Sequence, residues 1–241
     1  MIKAAILRIF NSLGYTVVRN GLGFTAKELS TYNKVREFTA TSVDRLVGLI
    51  DAVQYVSVNG IEGDIVECGV WRGGSIMAAM SALLELGDVS RHFHLFDTFE
   101  GMTEPSERDV MYDGQSAKAL MGRDKWCVAG VEDVRANVLS TGYPKELVHF
   151  IQGKVEETIP ENAPSKIALL RLDTDWYAST AHELVHLYPR LSDHGVLIVD
   201  DYGHWEGARQ AVDEYFAKQK IRPLFSRMDY SARMAIKVPA R

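Results

Sequence analysis

The chain has 241 residues, 46% hydrophobic and 24% charged, with a net charge of −5 at neutral pH. That length suits one large domain with enough apolar material for a sizeable core. The acidic balance excludes general nucleic-acid binding, which needs a basic surface, and no apolar run approaches the ~18 residues of a membrane span. Only Cys68 and Cys127 are present. Cys68 sits inside an apolar run, so the reading is a reduced, cytoplasmic chain rather than a disulfide scaffold.

Residues 1–60 read as an N-terminal helical extension. In residues 1–13, Ile2, Ala5, Ile6, Ile9 and Leu13 fall on one helical face. An apolar stripe of this kind suits docking on the domain or on a second subunit, so a homo-oligomer is expected; peripheral membrane contact is the alternative. The strongest helical pattern in this region covers residues 41–58, through Val43, Leu46, Val47, Ile50, Val53 and Val56.

From residue 61 the character changes. Strands are expected over 64–70, 92–97, 148–152, 166–172 and 195–200, with a closing hairpin of 222–225 and 234–238. Helices are expected over 74–86, 131–139, 176–191 and 205–218. Alternating strands and helices specify an α/β fold, a mostly parallel, doubly wound, seven-stranded sheet with helices on both faces. Residues 98–130 fit neither period, and a long irregular insertion after the second strand could fold over the site as a lid.

Two strands end abruptly in carboxylates: Leu170-Arg-Leu-Asp-Thr-Asp175 and Leu197-Ile-Val-Asp-Asp201. Neighbouring parallel strands deliver their C-terminal ends to one crevice. Asp173, Asp175, Asp200 and Asp201 would repel one another there unless a hard cation such as magnesium sat between them. Asp175 as a helix cap, and Asp200 and Asp201 as turn residues, are the bland alternatives.

Val66-Glu-Cys-Gly-Val-Trp-Arg-Gly-Gly-Ser75 links the first strand to its helix. The spacing of Gly69 and Gly73 is wrong for a dinucleotide fingerprint, and there is no phosphate loop. Glu67 would repel a pyrophosphate but suits a cationic ligand without phosphates, as S-adenosylmethionine is. Asp97, ending the second strand, could accept hydrogen bonds from ribose hydroxyls. The cofactor-binding candidates are Glu67, Gly69, Gly73, Ser75, Asp97 and Thr98.

These blocks, with Leu95-Phe-Asp-Thr-Phe-Glu-Gly-Met102, Leu172-Asp-Thr-Asp-Trp-Tyr177 and Val199-Asp-Asp-Tyr-Gly203, resemble the signature blocks of the macrocin O-methyltransferase family, over roughly residues 45–216. The resemblance implies a Rossmann-like class I methyltransferase fold, S-adenosylmethionine, magnesium, and methylation of a sugar hydroxyl. It places metal ligands at Asp173, Asp200 and Asp201 and a catalytic base at Asp175. The acceptor would be a glycoside or a glycan precursor. A catechol-type O-methyltransferase and a non-catalytic binding protein are the competing classes. The Asp200-Asp201 pair, where the catechol type would carry Asp-Asn, favours the sugar enzyme.

Two further patterns need weighing. His182-Glu-Leu-Val-His186 matches the zinc-protease pattern, but no third ligand follows. Leu184, Tyr188, Leu191 and Ala181 mark the expected buried face of this helix, which leaves His182, Glu183, His186 and Arg190 solvated. Trp71, Trp176, Tyr177, Tyr202 and Trp205 flank the acidic strand ends, where they could line a sugar pocket or simply fill the core.

Overall fold

The structure is a computed structural model that describes Phe10 and residues 23–122 and 126–239. The apolar stripe of residues 1–13 lies outside the described residues. From residue 23 onward the first two helices are α1 (Ala26–Val35) and α2 (Val43–Val58). Each has a side-chain cap: the Thr25 hydroxyl accepts from the Glu28 amide, and the Ser42 hydroxyl accepts from the Arg45 amide.

The sheet follows. Its strands are β1 (Asp64–Cys68), β2 (Phe93–Asp97), β3 (Val148–Gln152), β4 (Ile167–Leu172), β5 (Leu191–Val199), β6 (Ser226–Arg227) and β7 (Arg233–Ile236). Their spatial order is β3-β2-β1-β4-β5-β7-β6. β1 to β5 run parallel, and β7 is antiparallel to both β5 and β6. The strand order reverses between β1 and β4, and the crevice at that switch point is where open α/β sheets bind ligands.

Strand alternation feeds two cores. Ile65, Leu95, Leu169 and Ile198 face α2, α3 (Gly74–Leu86) and α5 (Val131–Leu139). Val66, Phe96, Leu170 and Leu197 face α6 (Val155–Thr158), α7 (Tyr177–Leu187) and α8 (Glu206–Gln219). The parallel strands are thus covered on both sides, which is why they read as continuous apolar runs. Helix α2 places Leu46, Leu49, Ile50, Val53 and Val56 in the first core, so it is packed into the sheet domain. Truncating fully buried Leu46 to Ala would cost about 2–5 kcal/mol.

Several boundaries differ from expectation. The helix expected over 176–191 stops at Leu187 and gives way to a 3-10 turn, Tyr188–Arg190. Pro189 lacks the N–H that a continuing helix needs. Strand β5 therefore begins at Leu191, four positions before the expected Gly195. Residues 222–225 form no strand, because Pro223 cannot donate to a ladder, and the hairpin starts at Ser226.

The described residues of the 98–130 insertion are mostly irregular and include the short helix α4 (Ala117–Met121). Buried Asp109 pins it. Asp109 Oδ1 accepts from the Tyr177 amide at 2.8 Å, and Oδ2 accepts from the Ser106 amide and hydroxyl. A Cβ at Gly207 would run into Asp109 Oδ1, so a glycine lets α8 come this close. Among the described residues, no helix is long and apolar enough to cross a membrane.

Candidate active site

The turn after β1 is built by backbone. Gly69 has φ +83°, and a Cβ there would run into the Asp173 carbonyl oxygen. Only glycine lets the ends of β1 and β4 meet this closely. Asp97, ending the neighbouring strand, braces the turn. Its Oδ2 accepts from the Val70 and Trp71 amides at 2.6 and 2.9 Å, and its Oδ1 accepts from the Phe99 amide at 2.7 Å. Gly69, Ser75, Asp97 and Thr98 line a cavity of about 340 Å³. Gly73, at φ +89°, precedes α3 and packs on Val138, away from that wall.

Glu67 is placed differently from expectation. It lies below the cavity wall, 2% exposed, and one oxygen accepts from the Arg171 guanidinium. Its Oε2 has no hydrogen-bond partner, and burial pushes the carboxyl up to about 8.

The other half of the same cavity is built from side chains. Asp173 and Asp175 follow β4; Asp200 and Asp201 follow β5. One oxygen from each of Asp173, Asp200 and Asp201 lies within 4.8 Å of the others, the three-acid group of this kind among the described residues. Asp200 is flanked by two guanidinium groups: Arg171 Nη2 donates to Oδ1 at 2.6 Å, and Arg45 Nη1 donates to Oδ2. Arg171 Nη1 also contacts Asp173 Oδ2 at 2.8 Å, while Arg45 Nε contacts Asp229 at 2.9 Å. Asp201 Oδ2 is buried without a hydrogen-bond partner.

Burial and mutual repulsion disfavour charge on Asp173, Asp175 and Asp201. Burial pushes Asp173 up to about 6. Burial, then the Asp173 charge, pushes Asp175 up to about 7. Asp201 is raised well above the usual carboxylate range by burial and by the charges of Asp175, Asp173 and Asp200.

Asp175 does not cap α7. The cap residue is Trp176, and the first amide of the helix donates to Asp109 instead. Asp175 has φ +65°, a conformation that non-glycine residues seldom adopt and that clusters at functional sites. Its Oδ1 accepts from Trp205 Nε1 at 2.7 Å.

The aromatics divide. Trp71 and Trp205 line the cavity. Trp176 is 2% exposed, donates to the Thr103 carbonyl and packs edge-on against Trp205, so it supports the wall from behind. Tyr177 bonds Glu214 and Tyr202 bonds Asp213, both on α8 and away from the cavity.

The expected solvated face of α7 needs correction. Glu183 is fully buried and accepts from the Thr174 hydroxyl at 3.0 Å. His182 and His186 are half-buried, and His182 Nε2 lies 3.0 Å from the Ile159 carbonyl. Arg190 is also half-buried and donates to the Ala163 and Pro164 carbonyls. The reason is that α7 packs against α8, α6 and the sheet, leaving it little open surface. The histidines belong to no three-ligand group among the described residues.

Sequence reasoning missed Arg45, Arg171 and Asp109. Arg171 left a signal, a lone charge inside Leu169-Leu170-Arg171-Leu172, since an arginine in a buried strand must be paired. Arg45 left none, because it meets Asp200 across 155 positions of sequence.

Residues 15–235 match the family model described as macrocin-O-methyltransferase. One relative is the 8-demethyl-8-(2,3-dimethoxy-alpha-L-rhamnosyl)-tetracenomycin-C 4'-O-methyltransferase of Streptomyces olivaceus, 35% identical over 191 residues, which cover 79% of this chain and 72% of the relative. Another is the mycinamicin III 3''-O-methyltransferase of Micromonospora griseorubida, 31% identical over 177 residues, covering 73% and 69%. The solved structure of the O-methyltransferase NovP is similar with a TM-score of 0.74 at 32% identity, over 84% of this chain and 83% of that one. With a matching sheet, a matching family model and relatives of this kind, the chain belongs to the macrocin O-methyltransferase family and is an S-adenosylmethionine-dependent O-methyltransferase.

Proposed function

We propose that the chain methylates a sugar hydroxyl of a glycoside, with magnesium held by Asp173, Asp200 and Asp201 and with Asp175 as the base. The observation that carries this reading is the position of the three-acid group. It shares one cavity with the Gly69 turn and Asp97. The donor set suits a hard cation, being all carboxylate oxygen, and the unpartnered Asp201 Oδ2 is the kind of buried acceptor that a cation would satisfy. The sugar assignment rests on the names of the relatives: one acts on a rhamnosyl tetracenomycin, and the family itself is named for macrocin.

S-adenosylmethionine would supply an electrophilic methyl group; magnesium would supply positive charge beside the acceptor hydroxyl, easing loss of its proton. The protein groups have separate tasks. Gly69, Ser75, Asp97 and Thr98 hold the cofactor, with Asp97 keeping the turn in shape. Asp175, fixed by Trp205 Nε1, takes the proton of the acceptor hydroxyl. Residues 98–130 act as a lid, contributing Thr98, Met102, Thr103, Trp126 and Cys127 to the cavity wall. Holding the hydroxyl near the methyl carbon supplies a large part of the rate.

Methyl transfer to a panel of glycosides, measured after dialysis against chelator and again with magnesium restored, tests both parts. Activity should vanish and return. Full turnover in chelator would sink the metal site, and methylation of phenols in place of sugar hydroxyls would sink the acceptor class.

A further inference from the structure

Three aromatic rings from three separate segments meet at the mouth of the cavity. Tyr112 comes from the 98–130 insertion, His204 from the loop after β5, and Tyr230 from the loop between β6 and β7. Their centroids lie 5.8 Å apart for Tyr112 and His204, 6.3 Å for Tyr112 and Tyr230, and 5.9 Å for His204 and Tyr230, all edge to face. The Tyr230 hydroxyl lies 3.1 Å from His204 Nδ1. His204 and Tyr230 line the cavity beside Asp200 and Asp201. Yet Tyr112 and Tyr230 are 60% and 59% exposed. Single exposed aromatics need no explanation, but a contiguous group bordering an active site marks a binding surface.

The group is anchored to the acid loop. The His204 amide donates to the Asp201 carbonyl at 3.0 Å, and the Tyr112 amide donates to the His204 carbonyl at 3.0 Å. Beside Tyr230, the Ser231 hydroxyl donates to the Asp200 carbonyl at 2.7 Å. A Cβ at Gly203 would run into the Tyr230 carbonyl, so this loop lies directly on the acid loop. The rings are therefore held at fixed positions relative to the reacting acids. At about 340 Å³ the cavity sits at the small end of the ~300–1,000 Å³ range of ligand pockets. A nucleoside-bearing cofactor would take up most of that volume, so a large acceptor would extend beyond it.

We propose that Tyr112, His204 and Tyr230 form an acceptor subsite that stacks on a planar, conjugated aglycone attached to the methylated sugar. The subsite rests on the sugar-methyltransferase reading for its place in the reaction, but its ring-stacking chemistry can be measured separately. Because the rings are tied to Asp200 and Asp201, the subsite would fix how far the methylated hydroxyl lies from the aglycone and so select among hydroxyls.

The test compares 4-nitrophenyl and methyl glycosides of two sugars, rhamnose and glucose, on the full chain. Calorimetry gives binding and methyl transfer gives KM. Wild type should prefer the aryl glycosides by about 3- to 10-fold, the range expected of aromatic stacking. Tyr112→Ala and Tyr230→Ala should bring the aryl-to-methyl ratio toward one, while Tyr112→Phe and Tyr230→Phe keep it, because the ring survives. Loss of the ratio in the alanine variants with no methyl transfer to any glycoside would leave the subsite standing and refute the sugar reading. Transfer to both glycosides with equal KM would refute the subsite and keep the sugar reading. No aryl preference in wild-type binding, or a preference untouched by both alanine variants, overturns the subsite.

Discussion

The two halves of the cavity are built by opposite means. The half proposed to hold the cofactor, at the ends of β1 and β2, is made of backbone: a glycine that no side chain could replace and a carboxylate whose two oxygens take three amides. The acid half, at the ends of β4 and β5, is made of side chains that repel one another, held by two arginines and leaving Asp201 Oδ2 unpartnered. The first half is satisfied by the protein alone. The second keeps its charges in tension, the pattern expected where chemistry takes precedence over stability.

The largest expected effect separates base from ligand within the acid half. Asp175→Asn should lose turnover by roughly 10²- to 10⁴-fold, with cofactor and metal affinity retained. Turnover and calorimetry on the same preparation decide it, and near-normal turnover would remove Asp175 from the reaction.

Asp201→Asn sharpens the contrast in a second way. It removes a buried carboxylate that faces three others and whose Oδ2 has no partner, so the metal-free variant should melt higher than wild type. The same change should abolish manganese binding followed by electron paramagnetic resonance. A variant that melts lower and still binds manganese would show that charge repulsion is not what shapes this half.

The cofactor half should respond through its backbone. Asp97→Ala strips three amides of their acceptor and should weaken S-adenosylmethionine binding by about 10- to 100-fold, with a lower melting temperature. If affinity falls and the melting temperature holds, Asp97 acts on the ligand alone and the brace is unimportant.

A further effect, on stability and not on binding or turnover, lies in the core behind the acid group. Burial holds the Glu183 carboxyl up at about 8, so the folded state favours its neutral form. Its contribution to stability is complete below the ordinary value near 4.5 and is lost as pH rises toward 8. Glu183→Gln should flatten that decline in denaturation curves taken between pH 5 and about 8. An unchanged slope would place the charge elsewhere.

Much of this architecture was legible in the sequence because the signals were local. The helices Gly74–Leu86 and Val131–Leu139 and the strand Val148–Gln152 have the bounds that their hydrophobic periods predict. The convergence of Asp173, Asp200 and Asp201 followed from where parallel strands end. What was not legible depended on partners distant in sequence. Glu67 alternates correctly within β1, but its direction became visible only with Arg171 across from it on β4. Glu183 looked solvated because a helical wheel shows one buried face, whereas α7 is covered on more than one side.

Arg45 carries one more consequence. It belongs to the helical layer that precedes the sheet, yet it supplies one of the two positive charges on Asp200. The acid end of the sheet is therefore not a portable module. A chimaera that joined this sheet to the leading helices of another methyltransferase would inherit a different charge at the acid group unless an arginine came with them. Exchange of those helices would then alter the charge at the acid group as well as the packing against the sheet.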